Sequence, residues 1–196
     1  MKLLRPKKKV EGALSKEHLQ LMKGQQKALQ SFVDKECYRS STFYKIYADE
    51  ELGRYLLTDG KMMLFSKEMF DVPLLVEHEI PDIFKVNDAY DKFRKDLLCD
   101  DYKESVRLHT RDLTGIKAEA LLLNKRCPYV LVKMSRVRLL MRICGGDMFF
   151  EWKYVQNYPV RFQSNKSDIQ GLLAPMDFRV SQNHGTTMYD CPVMKG

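Results

Sequence analysis

Apolar positions along this chain switch between a period of 3.6 and a period of 2, and the switch happens twice. From Ser15 onward, Leu19, Met22, Leu29, Phe32 and Val33 gather on one side of a helical projection, while Lys16, Gln20, Lys23, Lys27 and Gln30 recur on another. Ser15 is a good N-cap residue, and Leu14 and Leu19 stand at the N′ and N4 positions of a hydrophobic staple. A helix is predicted to start there. The period then drops to two in runs at 43–47, 54–57 and 61–65, separated by 49–53 and by Asp59-Gly60. An Asp-Gly pair suits a type I′ hairpin, whose two central residues both need φ > 0.

The signal weakens over 71–102, where Pro73 and Pro81 interrupt an apolar run and 90–98 reads as a short helix, so this region is expected to connect rather than to form core. Strands are predicted again at 105–109, 115–123 and 129–133, the second alternating through Ile116, Ala118, Ala120 and Leu122. A second helix follows. Ser135 is its expected N-cap, Val137, Leu140, Met141 and Cys144 form its buried stripe, and Gly145 stands where a C′ glycine ends a helix. Arg138 and Arg142 lie on its other face. Three more strands are read at 148–155, 159–163 and 171–178, and the polar stretch 181–196 is expected to be a flexible tail.

The order helix, strand, strand, strand therefore occurs twice. A lead strand precedes each helix, weakly at 10–14 and clearly at 129–133, which gives two βαβββ units as pseudo-repeats over about 8–66 and 129–180, with 67–128 between them. Together they form a single α+β domain, 1–180, with both helices on one face of an antiparallel sheet of at least six strands.

Composition narrows the function. The chain has 196 residues, 44% of them hydrophobic, enough for a real core. Thirty-three Lys and Arg against 26 Asp and Glu leave a net charge of +7, which favours an anionic partner. The five cysteines, Cys37, Cys99, Cys127, Cys144 and Cys191, are odd in number and too far apart for a zinc knuckle or a redox pair. They read as reduced thiols in a cytoplasmic protein. The basic start of the chain has no apolar h-region behind it, and no run of 18 apolar residues exists, so neither secretion nor membrane insertion is expected. The histidines, at 18, 78, 109 and 184, do not cluster.

No catalytic signature is present: a phosphate-binding glycine loop, HExxH, GxSxG and CxxC are all missing from the sequence. Asp59, Asp147 and Asp168 fall at predicted turns, where Asp is the ordinary choice. An enzyme is not expected, and no catalytic residue, metal ligand or cofactor is assigned. Phe149, Phe150, Trp152 and Tyr154 crowd one strand; exposure of Trp152 and Tyr154 together would indicate a surface for stacking on single-stranded nucleic acid.

Three stretches resemble the DNA sliding clamps, the family that includes the bacterial and phage DNA polymerase III beta subunits. Thr58-Asp59-Gly60-Lys61-Met62 is similar to the family's Thr-Asp-Gly-His-Arg turn. The segment 138–152 resembles its helix, Gly-Gly-Asp turn and following strand, and 157–176 resembles its Pro-Val strand and closing Gly-Leu-x-x-Pro-Met strand. The resemblance spans roughly 15–178. It departs from the family in that a bacterial clamp subunit carries three such domains and this chain has room for one, and in Asp177, where the family has arginine.

The resemblance implies a clamp-like, non-specific DNA-binding or processivity protein of phage or mobile-element replication, active in the cytoplasm of a bacterium or infected cell. Duplex DNA would meet Lys16, Lys23, Lys27, Arg138 and Arg142 through its phosphates. Short peptide motifs of polymerase or clamp-loader proteins would enter a groove lined by Gly60, Lys61, Met62, Leu173, Pro175 and Met176, provided these two segments meet within one domain or across a subunit boundary. A homo-oligomeric ring would need free edge strands, expected at 61–65 and 148–155. The alternative is a clamp relative that forms no ring and acts as an adaptor or inhibitor of host replication or defence proteins. For the basic helix stripe, the plain alternative is a solvated surface.

Overall fold

The runs of period two become strands because every second side chain can be buried on one face of a pleated sheet. In the protein, a computed structural model describing residues 16–81, 94–95, 104–124, 130–153 and 158–176, with side chains from Gln20 onward, two helices lie over one large sheet. Helix α1 spans Lys16–Phe32 and continues as a single π-turn, Val33–Cys37. The strands β1 (Ile46–Asp49), β2 (Arg54–Thr58) and β3 (Met62–Ser66) follow it, then the short β4 (Val76–Glu77). After β5 (Glu104–His109), a 3-10 turn at Thr110–Leu113 leads to the hairpin β6 (Ala120–Asn124) and β7 (Val130–Lys133). Helix α2 (Met134–Ile143) is followed by β8 (Asp147–Trp152), β9 (Val160–Ser164) and β10 (Gln170–Leu173).

The helix–strand–strand–strand order is observed twice, and the two sets of three strands join edge to edge. The large sheet runs β4-β1-β2-β3-β10-β9-β8-β5, and β6-β7 stand apart as a two-stranded sheet. All neighbours pair antiparallel except β1 and β4, which run parallel, so the sheet is not wholly antiparallel as expected. The lead strand of the first expected unit, 10–14, lies outside the described residues. That of the second, β7, pairs with β6 instead of entering the large sheet. The region 67–128, read as a connection, supplies β4, β5 and β6.

One face of the sheet carries the main core. Leu57, Met62, Leu64, Met148, Phe150, Phe162 and Leu173 pack there against Leu29, Phe32 and Val33 of the α1 region and Val137, Leu140 and Met141 of α2. The other face of the first half is covered only locally, where Tyr47, Leu56, Met63 and Phe65 meet Phe43, Leu52 and Ile80. Only the C-terminal half of α1 lies over the sheet. Met22, expected in its core stripe, is therefore 48% exposed, whereas Leu29, Phe32 and Val33 are buried as the pattern indicated.

Local chemistry explains where the elements end. Gly145 has φ +79°, and the Gly146 N–H donates to the Met141 carbonyl at 2.7 Å, the 6→1 bond of a Schellman motif closing α2. At its other end α2 is capped without Ser135: the helix starts at Met134, and the Met134 N–H donates to the Glu119 carbonyl at 2.8 Å. The β2–β3 turn centres on Gly60-Lys61 rather than on Asp59-Gly60. Gly60 takes φ +79°, and the Asp59 carboxylate accepts the N–H groups of Lys61 and Met62 at 2.9 and 2.8 Å. The strand expected over 115–123 begins only at Ala120; Gly115, with φ +79°, belongs to the turn that follows Leu113.

The strands expected to be free edges are interior. β3 lies between β2 and β10, and β8 between β5 and β9, so both have two neighbours. Among the described residues the large sheet ends at β4 and β5. β5 is held by more than its ladder: Arg107 donates to Asp147 through Nε and Nη2 at 3.0 and 2.7 Å, and its guanidinium lies 5.5 Å from the Phe149 ring centre. Asn165 Nδ2 donates to the same carboxylate at 3.0 Å, and His109 Nδ1 lies 3.5 Å away.

Two measurements test this architecture. A Cβ at Gly171 would stand 1.8 Å from the Met63 carbonyl oxygen and 2.7 Å from the Phe162 ring, so Gly171→Ala forces β3 and β10 apart. Urea denaturation is expected to show a loss of about 3 kcal/mol or more; a variant within experimental error of wild type overturns this account of the seam. The second concerns Asp147, whose carboxyl is held well below the usual carboxylate range by the Arg107 hydrogen bonds first, then by Asn165 and the charge of His109. Its contribution is present above the unfolded value of about 3.9 and is lost as pH falls toward the lower folded value. Wild-type stability should therefore decline on acidification below about pH 5, and Asp147→Asn should start lower and decline less. Parallel pH curves for the two proteins would exclude a role for this pair.

Candidate nucleic-acid interface

α1 and α2 pack against each other on the main-core face, antiparallel. A Cβ on Gly145, just past the end of α2, would stand 3.0 Å from Gln25 Nε2 near the middle of α1, and Arg136 near the start of α2 reaches Glu36 beyond its end. The burial of Ala28, Leu29, Phe32 and Val33 turns the rest of α1 outward. Gln20, Lys23, Gln26 and Lys27 are exposed, and the Lys23 and Lys27 ammonium groups have no ion-pair partner among the described residues. The side chain of Lys16 lies outside the described residues.

The arginines of α2 divide by position. Arg142, in the last turn, is exposed and unpaired among the described residues. Arg138 is half-buried, and its Nη2 donates to the Ile116 carbonyl in the loop before β6. Arg136, which sequence reading did not single out, is ion-paired to Asp59 at 2.7 Å and ties α2 to the β2–β3 turn. Its spacing from Arg138 places it on neither obvious stripe, and only the packed turn reveals its partner.

The two segments of the expected peptide groove do meet, and they meet within one chain. Met62 pairs with Leu173, and the Ala174 N–H donates to the Lys61 carbonyl at 2.8 Å. Their side chains do not share one surface. Met62 and Leu173 are fully buried in the main core, Gly60 and Lys61 are exposed, and Pro175 and Met176 are half-buried. Met176 packs on the outer face of the β6–β7 hairpin against Ala120, Leu122 and Leu131, and its N–H donates to the Leu131 carbonyl.

The turn carboxylates are occupied by structure. Asp59 holds the β2–β3 turn, and Asp168 accepts the Ser66 hydroxyl and the N–H groups of Lys67 and Glu68, joining the β9–β10 turn to the end of β3. Asp147 is bound as described above. Among the described residues no group of three or more His, Cys, Asp or Glu could hold a metal ion, and no helix is long and apolar enough to cross a membrane. Cys37 and Cys144 are buried thiols with no disulfide, and desolvation pushes both well above the ordinary thiol range. Phe150 and Trp152 are core residues, which removes the paired exposure that a stacking surface on β8 would need; Tyr154 lies outside the described residues.

No protein-family model matches this sequence, and no curated protein sequence matches it. Two solved structures are similar to it. One is the DNA polymerase III subunit beta from Borrelia burgdorferi in complex with a natural product, at 10% identity and a TM-score of 0.45, covering 78% of this chain and 63% of that one. The other is the Helicobacter pylori beta clamp bound to a DNA ligase peptide, at 15% identity and a TM-score of 0.33, covering 63% of this chain and 40% of that one. The chain thus spans less than two thirds of the length of either. Both similarities are weak.

Proposed function

We propose that this chain is a clamp-like protein that binds duplex DNA without sequence preference, serving phage or mobile-element replication in the cytoplasm, and that it does so through α1 and α2. The observation that carries the reading is that the two helices lie side by side on one face of the sheet and present Lys23, Lys27 and Arg142 unpaired among the described residues. The turn carboxylates Asp59, Asp147 and Asp168 are held by donors within the fold, and Asp34 is the acid that lines the same surface hollow as Lys23 and Lys27. The order and spacing of the clamp-like stretches in the sequence support the same reading. Lys16 extends the stripe by sequence position, and Arg138 adds charge from its half-buried place.

Contacts of this kind release counterions, so affinity falls linearly in a plot of log K against log salt, with a slope set by the number of phosphates neutralised. Replacing Lys23, Lys27 and Arg142 together by alanine is expected to reduce that slope by about 1 for each contact removed, with no dependence on DNA sequence. An unchanged affinity and slope would mean that the basic faces are only solvated.

A second reading, a monomeric adaptor that engages partner proteins, is favoured by one observation: the strands expected to pair between subunits, β3 and β8, are interior. Among the described residues the edges left for a ring are β4, two residues long, and β5. In this reading polymerase or loader-type peptides, or host proteins, would bind along the seam where Lys61, Pro175 and Met176 are accessible. Light scattering of the full chain at micromolar concentration, with and without duplex DNA, separates the two. A strictly monomeric species in both conditions rules out the ring and leaves the adaptor.

A further inference from the structure

The two arginines of α2 also border a cleft that flanks the helix's buried stripe at Met141. Ser135, Arg138, Met141 and Arg142 line one wall, and Thr110, Leu113 and Thr114 of the 3-10 turn line the other, around a volume of about 500 Å³. That is the size of small-molecule sites, about 300–1,000 Å³. The lining holds two guanidinium groups and no carboxylate. Leu113 and Met141 are buried and give it an apolar floor.

The donors are arranged for an oxyanion. Arg138 is fixed by its bond to the Ile116 carbonyl, which leaves further N–H groups of a pre-positioned fork for a ligand. Arg142, one turn further along α2, and the Ser135 hydroxyl have no partner among the described residues. The Thr110 and Thr114 hydroxyls are committed to the Gly146 and Thr110 carbonyls. Two forks and one free hydroxyl match the three or more oxygens of a phosphoryl group better than the two of a carboxylate. We infer that this cleft binds a phosphate ester, with Arg138, Arg142 and Ser135 on the phosphoryl oxygens and the organic part of the ligand over Leu113 and Met141. This chemistry is shared by a free nucleotide and by the backbone of a nucleic acid; the cleft shares Arg138 and Arg142 with the proposed duplex face and adds Ser135, Leu113 and Met141, which that reading does not use.

Calorimetric titration of the full chain with adenosine monophosphate, adenosine and inorganic phosphate tests it. The monophosphate is expected to bind more tightly than inorganic phosphate, with adenosine not bound at millimolar concentration. Arg142→Ala and, separately, Ser135→Ala should each weaken the monophosphate, the arginine variant by about tenfold or more, while Lys23→Ala with Lys27→Ala leaves it unchanged. Displacement of the monophosphate by a duplex without terminal phosphates assigns the cleft to a nucleic-acid backbone, and its retention in saturating duplex assigns it to a free nucleotide. No binding of the monophosphate at millimolar concentration, or equal binding by wild type and both cleft variants, overturns the inference. The salt dependence of duplex binding by the Lys23/Lys27 variant is a separate readout, so failure of one reading leaves the other intact.

Discussion

The pairing of β3 with β10 is the contact on which the rest of the molecule depends. It joins residues more than 100 positions apart, in the register Met62↔Leu173 to Phe65↔Gln170, and turns two three-stranded meanders into one sheet. Without it, the apolar faces of the two halves would each need another cover. The approach is close enough that position 171 has no room for any side chain: the Met63 carbonyl and the Phe162 ring occupy the space a Cβ would take. Gly171 serves here through its lack of volume, since in the interior of a strand it would otherwise weaken the ladder.

Everything placed on the helix side follows from that seam. A continuous sheet offers one broad apolar surface, and α1 and α2 share it, which brings them into antiparallel contact. The seam is reinforced at both ends by polar groups. At one end Asp168, in the β9–β10 turn, accepts from the Ser66 hydroxyl and from the backbone where β3 ends; at the other, the Ala174 N–H donates to the Lys61 carbonyl in the β2–β3 turn. Arg136 then links that turn, through Asp59, to the start of α2. Turn chemistry, helix position and strand register are thus one connected arrangement.

The same connections decide which charges are available. Asp59, Asp147 and Asp168 accept N–H and O–H groups within the fold, and Arg107 and Arg136 are committed to carboxylates. Lys23, Lys27 and Arg142 remain outside these networks. The sequence-wide excess of positive charge is modest, and the fold decides which cations are paired, Arg107 and Arg136, and which project from the helices.

Much of this was legible in the residues alone. The two helices and nearly all of the main strands follow from periodicity, because a helix or strand with one buried face must repeat its apolar residues at 3.6 or 2. Gly145 could be read as a helix end, since its role depends on its own backbone and its immediate neighbours. Other features depend on partners distant in sequence. Met22 matches the apolar stripe of α1 but extends past the sheet that would bury it, so periodicity misplaced it. Both β3 and β8 read as edges, because an edge is defined by the absence of a neighbour, and the neighbours here, β10 and β5, are chosen by the tertiary arrangement. The turn at Gly60 and the strand at Leu173 were expected to line one groove, and whether the two segments meet in one chain depends on the β3–β10 register, which also buries Met62 and Leu173 in the core. Local conformational preference and side-chain period set the elements. The close packing of one half against the other set their neighbours and the accessibility of each charged group, because burial and pairing are properties of two surfaces at once.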